Sequence, residues 1–306
     1  MLFVFDKWGG LREYRAVGRA QLVERGPDGR VARTISGGSL LIEGPGEMLR
    51  VSAPAGGEAR LDSTDSEITG QVIELFPKSQ DIFAAGGVKL LLKAREESAR
   101  LTVGFFSGRQ PVMAVSGRLS YEREPDRLTL SEGARMWQDK QMLSGNELSA
   151  ERGTGELRGA GRVQAVFPRA SKKPGENEER LEVGGEGLAF SPREHLLTYR
   201  GQCWLKTRNA RLASDRIDVF LSGEDSALTT IEALGQVVIS SGFREGRGET
   251  AVYDLDKETI DLTGNPSLTD KEKGVIEGDK LTFHLGDGRI HVENSGRERS
   301  VTVIKS

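Results

Sequence analysis

From Ala251 to Val292 the chain reads AVYDLDKETIDLTGNPSLTDKEKGVIEGDKLTFHLGDGRIHV, with apolar residues at alternate positions between clusters of Gly, Asn, Asp and Pro. Ala251 and Tyr253 lead into a DLDKE turn, and Ile260 and Leu262 come back. LTGNP breaks the run, Ile276, Leu281 and Phe283 resume it, and LGDG turns it into Ile290 and Val292. Successive side chains of a strand point to opposite faces, so this pattern predicts half-buried strands joined by short turns, here two hairpins in series. No helical period fits it.

The pattern occurs four times. Leu40 and Leu49, Leu119 and Leu128, Leu188 and Leu197, and Ala251 and Ile260 are each nine residues apart, the second member opening a returning strand. Two positions after each first member stand Ile42, Tyr121, Phe190 and Tyr253, which alternation puts on the same face. A second hairpin is predicted from pairs five apart: Ile68 and Ile73, Leu143 and Leu148, Leu212 and Ile217, Ile276 and Leu281, with Gly70, Gly145, Ser214 and Gly278 in the intervening turn. Gly87-Val88, Gly161-Arg162-Val163 and Gly235-Gln236-Val237 mark junctions, their valines 75 and 74 residues apart, and Gly18-Arg19-Ala20 is a weaker version. Self-similarity of this kind predicts one continuous stacked array over residues 1–306, with copies at about 18–85, 86–160, 161–234 and 235–306, because each unit buries its apolar face against its neighbours. The expected fold is all-β. Lys89–Ala99 holds helix-forming residues, but VKLLLKA follows a junction as VQAVF and VVISS do, so it is read as strand. PRASKKPGENEER in the third copy reads as an exposed loop, Met1–Phe5 as a first strand, and Ser300–Ile304 as a last one.

Composition narrows the function classes. The 43 basic and 46 acidic residues leave a net charge of −3, which carries no electrostatic footprint for nucleic acid. Hydrophobic content of 36% and aromatic content of 6% suit thin sheets of aliphatic residues, and many of the 39 glycines fall at turns. The single Cys203 sits in the strand-like run Tyr199–Leu205 and is read as a buried structural thiol. No apolar run reaches the roughly 18 residues of a membrane span, and Met1–Phe5 is shorter than the about 7 to 15 residues of a signal-peptide core.

Candidate chemistry is sparse. His284 and His291 flank the LGDG turn and read as a surface pair, and His195 as a turn residue in SPREH; no metal ligand set, cofactor motif or nucleophile elbow is present. Asp215, Asp218 and Asp279 are the acids to test for a polysaccharide-cleaving β-helix, but Asp279 occupies a turn position that favours Asp, and a repeat of about 70 residues is unlike a coil of roughly 20 to 30. No catalytic residue is assigned, and the chain is read as a non-enzyme.

ALGQVVISS, ETAVYDLDKE, IDLTGNPSLTD and VIEGDKLTFHLGDGRIHVE together resemble the OstA-like repeat of the periplasmic lipopolysaccharide-transport proteins, the LptA family. The resemblance is strongest over Gly235–Asn294, continues through SYEREPDRLTLSEG and LSGNELSAE, and is faint before Gly86. It implies an elongated, twisted, open β-jellyroll, a periplasmic location, and a bridge whose copies join head to tail through terminal strands, with themselves or with other envelope transport proteins. Its ligand would be lipopolysaccharide or a similar amphiphilic lipid. This chain has about twice the repeat content of a short bridge protein.

Physical reasoning supports such a role. Two apolar sheet faces about 10 Å apart make a sandwich, and burying one dozen-carbon acyl chain is worth up to roughly 9 kcal/mol before costs. The residues expected to line the groove are Leu119, Tyr121, Leu128, Leu130, Leu188, Phe190, Leu197, Tyr199, Tyr253, Ile260, Leu262, Ile276, Leu281 and Phe283. The same residues would form the core of a structural or adhesive repeat protein with no ligand, and both readings remain open at this stage. Val301–Ile304, flanked by Arg297, Arg299 and Lys305, is read either as an edge that pairs with a partner strand or as one guarded by those charges.

Overall fold

The computed structural model describes residues 1–5, 11–44, 46–94, 103–106, 110–169, 179–222, 227–270, 274–294 and 302–303. Every regular element among them is a strand. In order these are β1 (Leu2–Phe5), β2 (Leu11–Arg25), β3 (Val31–Glu43), β4 (Met48–Ser52), β5 (Ala59–Ser63), β6 (Ser66–Gly70), β7 (Val72–Phe76), β8 (Asp81–Leu92), β9 (Val112–Glu122), β10 (Arg127–Gln138), β11 (Gln141–Glu151) and β12 (Leu157–Arg169). They continue as β13 (Glu179–Ser191), β14 (Leu196–Lys206), β15 (Arg211–Leu221), β16 (Leu228–Ser241), β17 (Arg244–Asp254), β18 (Thr259–Thr263), β19 (Ser267–Asp270), β20 (Gly274–Glu277), β21 (Lys280–His284), β22 (Ile290–Glu293) and β23 (Thr302–Val303). The chain divides into two compact units, one of residues 1–139 and 144–159, the other of residues 140–143 and 160–306.

The strand pairings among the described residues are antiparallel, and the long strands share one device. Each bends at its middle, so one half lies in one sheet (sheet I) and the other half in a second (sheet II). The ladder register breaks at every bend: Ala85/Val88 in β8, Ser131/Arg135 in β10, Gly184/Gly187 in β13, Arg200/Cys203 in β14, Ala213/Arg216 in β15 and Leu234/Val237 in β16. One strand of each pair carries an extra residue there, which is how a bulge turns a strand. The extra length sits in two consecutive left-handed residues: Gly86-Gly87, Glu132-Gly133, Gly161-Arg162, Gly201-Gln202 and Gly235-Gln236. Gly264-Asn265 of LTGNP does the same between β18 and β19. Glycine takes positive φ at no steric cost, which is why the junctions visible in the sequence begin with it.

Hairpin registers follow the sequence spacing. Ile42 is opposite Leu49, Tyr121 opposite Leu128, Phe190 opposite Leu197 and Tyr253 opposite Ile260, so the four copies place equivalent pairs across equivalent turns. The spacing of five requires correction. Leu212, Ser214 and Ile217 lie on the single strand β15, and Leu143, Gly145 and Leu148 on β11, so Ser214 and Gly145 are not in hairpin turns. Gly70 and Gly278 stand at the breaks between β6 and β7 and between β20 and β21. An odd interval keeps both members facing inward because the strand passes a bend between them; a flat strand would send them to opposite faces.

The strand reading of Lys89 holds through β8 to Leu92, and residues 95–99 lie outside the described ones. The PRASKKPGENEER loop falls mostly on residues 170–178, which are also outside. Met1–Phe5 contributes β1, paired with β2 at Leu2↔Arg15, and the last strand is present as β23, paired with β20 at Val303↔Val275.

Candidate functional site: the space between the sheets

Directly opposed residues share a face, so register turns the alternating apolar positions into rows that cross the strands. In sheet I of the first unit, Leu40, Val51, Ile73, Ala84, Leu119 and Leu130 follow one another from β3 to β10. Facing them in sheet II are Ile35, Leu61, Ile68, Leu90, Ala114 and Met136. In sheet I of the second unit one row runs Leu188, Tyr199, Ile217, Ala233, Ala251, Leu262, Leu281. The neighbouring row runs Phe190, Leu197, Val219, Ile231, Tyr253, Ile260, Phe283. Sheet II of that unit supplies Val183, Leu205, Leu212, Ile239, Gly246, Leu268 and Ile276.

Every residue expected to line a groove therefore lies on these inward rows, with Tyr121 and Leu128 in a further row of the first unit that runs Tyr14, Ile42, Leu49, Leu75, Ile82, Tyr121, Leu128. All are buried except Tyr121 and Ile276, which are half-buried. Gly246 is the one position in its row without a side chain, and Phe283 from the opposite sheet fills the place: a Cβ on Gly246 would stand 2.5 Å from the Phe283 Cζ.

Two features at the ends of the sheets escaped the sequence reading. Between β8 and β9 of the first unit, Val103, Phe105 and Phe106 are 4%, 1% and 0% exposed, and the two rings stack with centroids 4.5 Å apart. Gly104, at φ +61°, lets this segment press on Leu157, whose Cδ1 would be 2.5 Å from a Cβ there. The signal was an apolar cluster, Val-Gly-Phe-Phe, outside the repeat spacing. In the second unit, Asn209, in the turn after β14, donates from Nδ2 to the Leu285 carbonyl at 3.0 Å. Arg244 of β17 pairs through Nε with Asp270 Oδ2 at 3.1 Å and donates from Nη1 to the Gly288 carbonyl. Both carbonyls belong to the β21–β22 turn of sheet I, and both donors to the end of sheet II. These bonds tie the two sheets together opposite the bends.

The polar groups inside are few. The Tyr121 hydroxyl donates to Asp126 Oδ1 at 2.7 Å. Cys203 is buried, its thiol donating to the Asp215 carbonyl at 3.4 Å, and burial pushes its pKa up to about 11. Tyr199 is fully buried, and its hydroxyl has no hydrogen-bond partner among the described residues. Burial, and secondarily the neighbouring Cys203, hold that phenol well above its ordinary pKa.

The candidate acids stand in different settings. Asp215 is exposed at the β15 bend beside Gly235, and Asp279 is exposed just before β21. Asp218 is buried in a pair with Arg216 at 2.7 Å and accepts from Thr198 Oγ1 at 2.8 Å. His195 is a turn residue at φ +49°, and His291 lies opposite Thr282, diagonal to His284 on the same face. Among the described residues no group of three or more His, Cys, Asp and Glu is placed to hold a metal. The outer faces carry ion pairs between neighbouring strands, such as Arg50–Glu74 at 2.6 Å and Lys280–Asp261 at 3.0 Å. A hollow of about 210 Å³ on the outer face of the first unit is lined by Arg127, Glu151, Arg158 and neighbours, with Arg127 and Glu151 already paired at 2.5 Å.

Antiparallel strands folded at bulged corners around an apolar interior in each unit define an all-β sandwich built by repetition. Residues 184–289 match the family described as LptA/(LptD N-terminal domain) LPS transport protein. An uncharacterized protein of Rhizobium meliloti (strain 1021) is 21% identical over 151 residues, covering 47% of this chain and 81% of its own length. Among solved structures the chain is similar to LptH of Pseudomonas aeruginosa, described as the LptA homologous periplasmic component of the conserved lipopolysaccharide transport device. Identity is 13% and the TM-score 0.36, over 41% of this chain and 95% of that one.

Proposed function

We propose that this chain is a non-enzymatic lipid carrier of the cell envelope, acting in lipopolysaccharide transport through the periplasm by shielding acyl chains between its two sheets. The observation that carries this reading is the set of unbroken apolar rows crossing from strand to strand, seven residues long from Leu188 to Leu281. An extended acyl chain needs such a lengthwise apolar surface, and at about 0.8 kcal/mol per buried methylene it needs no further chemistry for affinity. The family match over residues 184–289 coincides with these rows. On this reading the array is continuous, since β11 and β12 each give residues to both units, and its terminal strands pair head to tail with a second copy or another envelope transport protein.

Titration with a fluorescent acyl probe and with lipopolysaccharide tests the proposal. Saturable binding is expected, lost in Leu128→Asp and Phe283→Asp variants whose strand content by circular dichroism is unchanged. Absence of binding by the parent chain would remove the carrier reading. It would leave the structural repeat with a filled core, which the burial of nearly all the lining residues favours as the second reading.

A further inference from the structure

We infer that the Tyr199 hydroxyl is a polar anchor inside the second unit, selective for an acyl chain that bears a hydroxyl group. The inference rests on the acyl-chain reading above and adds to it a ligand class and a residue. Tyr199 is 0% exposed, between Leu188 and Ile217 in the inward row of sheet I. Its hydroxyl is buried with no partner among the described residues. A buried phenol ordinarily finds a partner, because leaving one unmade costs the full desolvation of the group. Cys203, just past the bend and an electrostatic neighbour of the phenol, is already engaged, giving its thiol hydrogen to the Asp215 carbonyl at 3.4 Å. Phenylalanine would fill the row without that cost, as Phe190 and Phe283 do in the next row. A tyrosine here therefore makes sense if something entering between the sheets meets its oxygen.

The chemistry of that partner follows from what the phenol offers. Its hydroxyl can both donate and accept, and both capacities are unused. A carbonyl oxygen only accepts, and a charged group would carry an uncompensated charge into the core. A hydroxyl on an otherwise apolar chain meets both capacities and stays neutral.

The test compares 3-hydroxymyristate with myristate, which differ by one hydroxyl, as competitors of a fluorescent acyl probe on the full chain and on Tyr199→Phe. The parent should bind the hydroxylated chain about five- to tenfold more tightly, the worth of one buried hydrogen bond. Tyr199→Phe should lose that preference and melt at the same or a higher temperature, having shed an unpaired polar atom. A preference that survives in Tyr199→Phe overturns the anchor and leaves the acyl-chain reading standing. So does an equal affinity of the parent for both acids, or a fall in the unliganded melting temperature of Tyr199→Phe, which would show that the hydroxyl already serves the free protein. If neither acid nor the probe binds the parent chain, the carrier reading fails and the anchor falls with it.

Discussion

At the scale of single residues the interior is largely apolar, so its few polar atoms report on it sharply. The Cys203 thiol is lifted by burial from an ordinary 9.0 to about 11. The unfolded chain therefore ionises this thiol first: its contribution to stability is full below pH 9 and is lost as pH rises through about 11. At pH 8 only about a thousandth of the folded thiol is thiolate, the reactive form. The native protein should thus resist iodoacetamide at pH 8 and react promptly in concentrated urea, as followed by mass spectrometry; equal rates in the two states would show that Cys203 is accessible. The sequence revealed that Cys203 is a strand residue and a structural thiol, since it alternates with Tyr199 and Leu205. It did not reveal that Tyr199 would lack a partner, because hydrogen bonding inside a sandwich depends on what the opposite sheet brings near.

At the scale of elements the bends organise everything. The Gly-x-Val junctions were legible because positive φ selects glycine, and they proved to be corners between sheets. Two further corners, Glu132-Gly133 and Gly201-Gln202, carry the same left-handed pair without the following valine and so went unmarked. The spacing of five was legible as a repeat and misread as a hairpin turn, since a bulge and a turn both interrupt alternation. Gly235 has φ +78°, and a Cβ there would stand 2.6 Å from Asp215 Oδ2. Gly235→Ala should therefore cost about 1–2 kcal/mol in urea unfolding, whereas Gln236→Gly, relieving a side chain held at φ +47°, should gain up to about 1 kcal/mol. Opposite signs at adjacent positions separate corner strain from loss of packing. The Val103–Phe106 segment makes the complementary point, since no periodicity announces a loop that folds into a core. Phe106→Ala should lower stability by about 3–5 kcal/mol. If acyl chains enter the first unit, the same variant should also take up more acyl probe per chain, because the ring no longer competes for that space.

At the scale of the whole chain, repetition leaves the question of where pairing stops. A strand without a neighbour on one side has a free edge, and such edges recruit other strands unless something blocks them. β1 pairs with β2 alone among the described strands, and it is apolar on both faces: Leu2, Phe3 and Phe5 are 52%, 52% and 59% exposed. Phe3 packs on Tyr14 with ring centroids 4.9 Å apart and lies beside Phe5, so one face of the edge is an aromatic strip. In the second unit β22, which pairs with β21 alone among the described strands, presents Ile290 and Val292 half-exposed. Exposed apolar residues on a strand with unpaired backbone groups match an edge that joins another chain; protective edges carry lysine or proline instead. The chain should therefore show a concentration-dependent rise in mass by analytical ultracentrifugation, and Phe3→Lys with Phe5→Lys should hold it at the monomer mass while leaving its melting temperature nearly unchanged, since both rings are already largely in solvent. A parent chain that stays monomeric at high micromolar concentration would make β1 an ordinary frayed end. Association that persists in the double variant would move the joint to another surface and leave the apolar strip without a role in assembly.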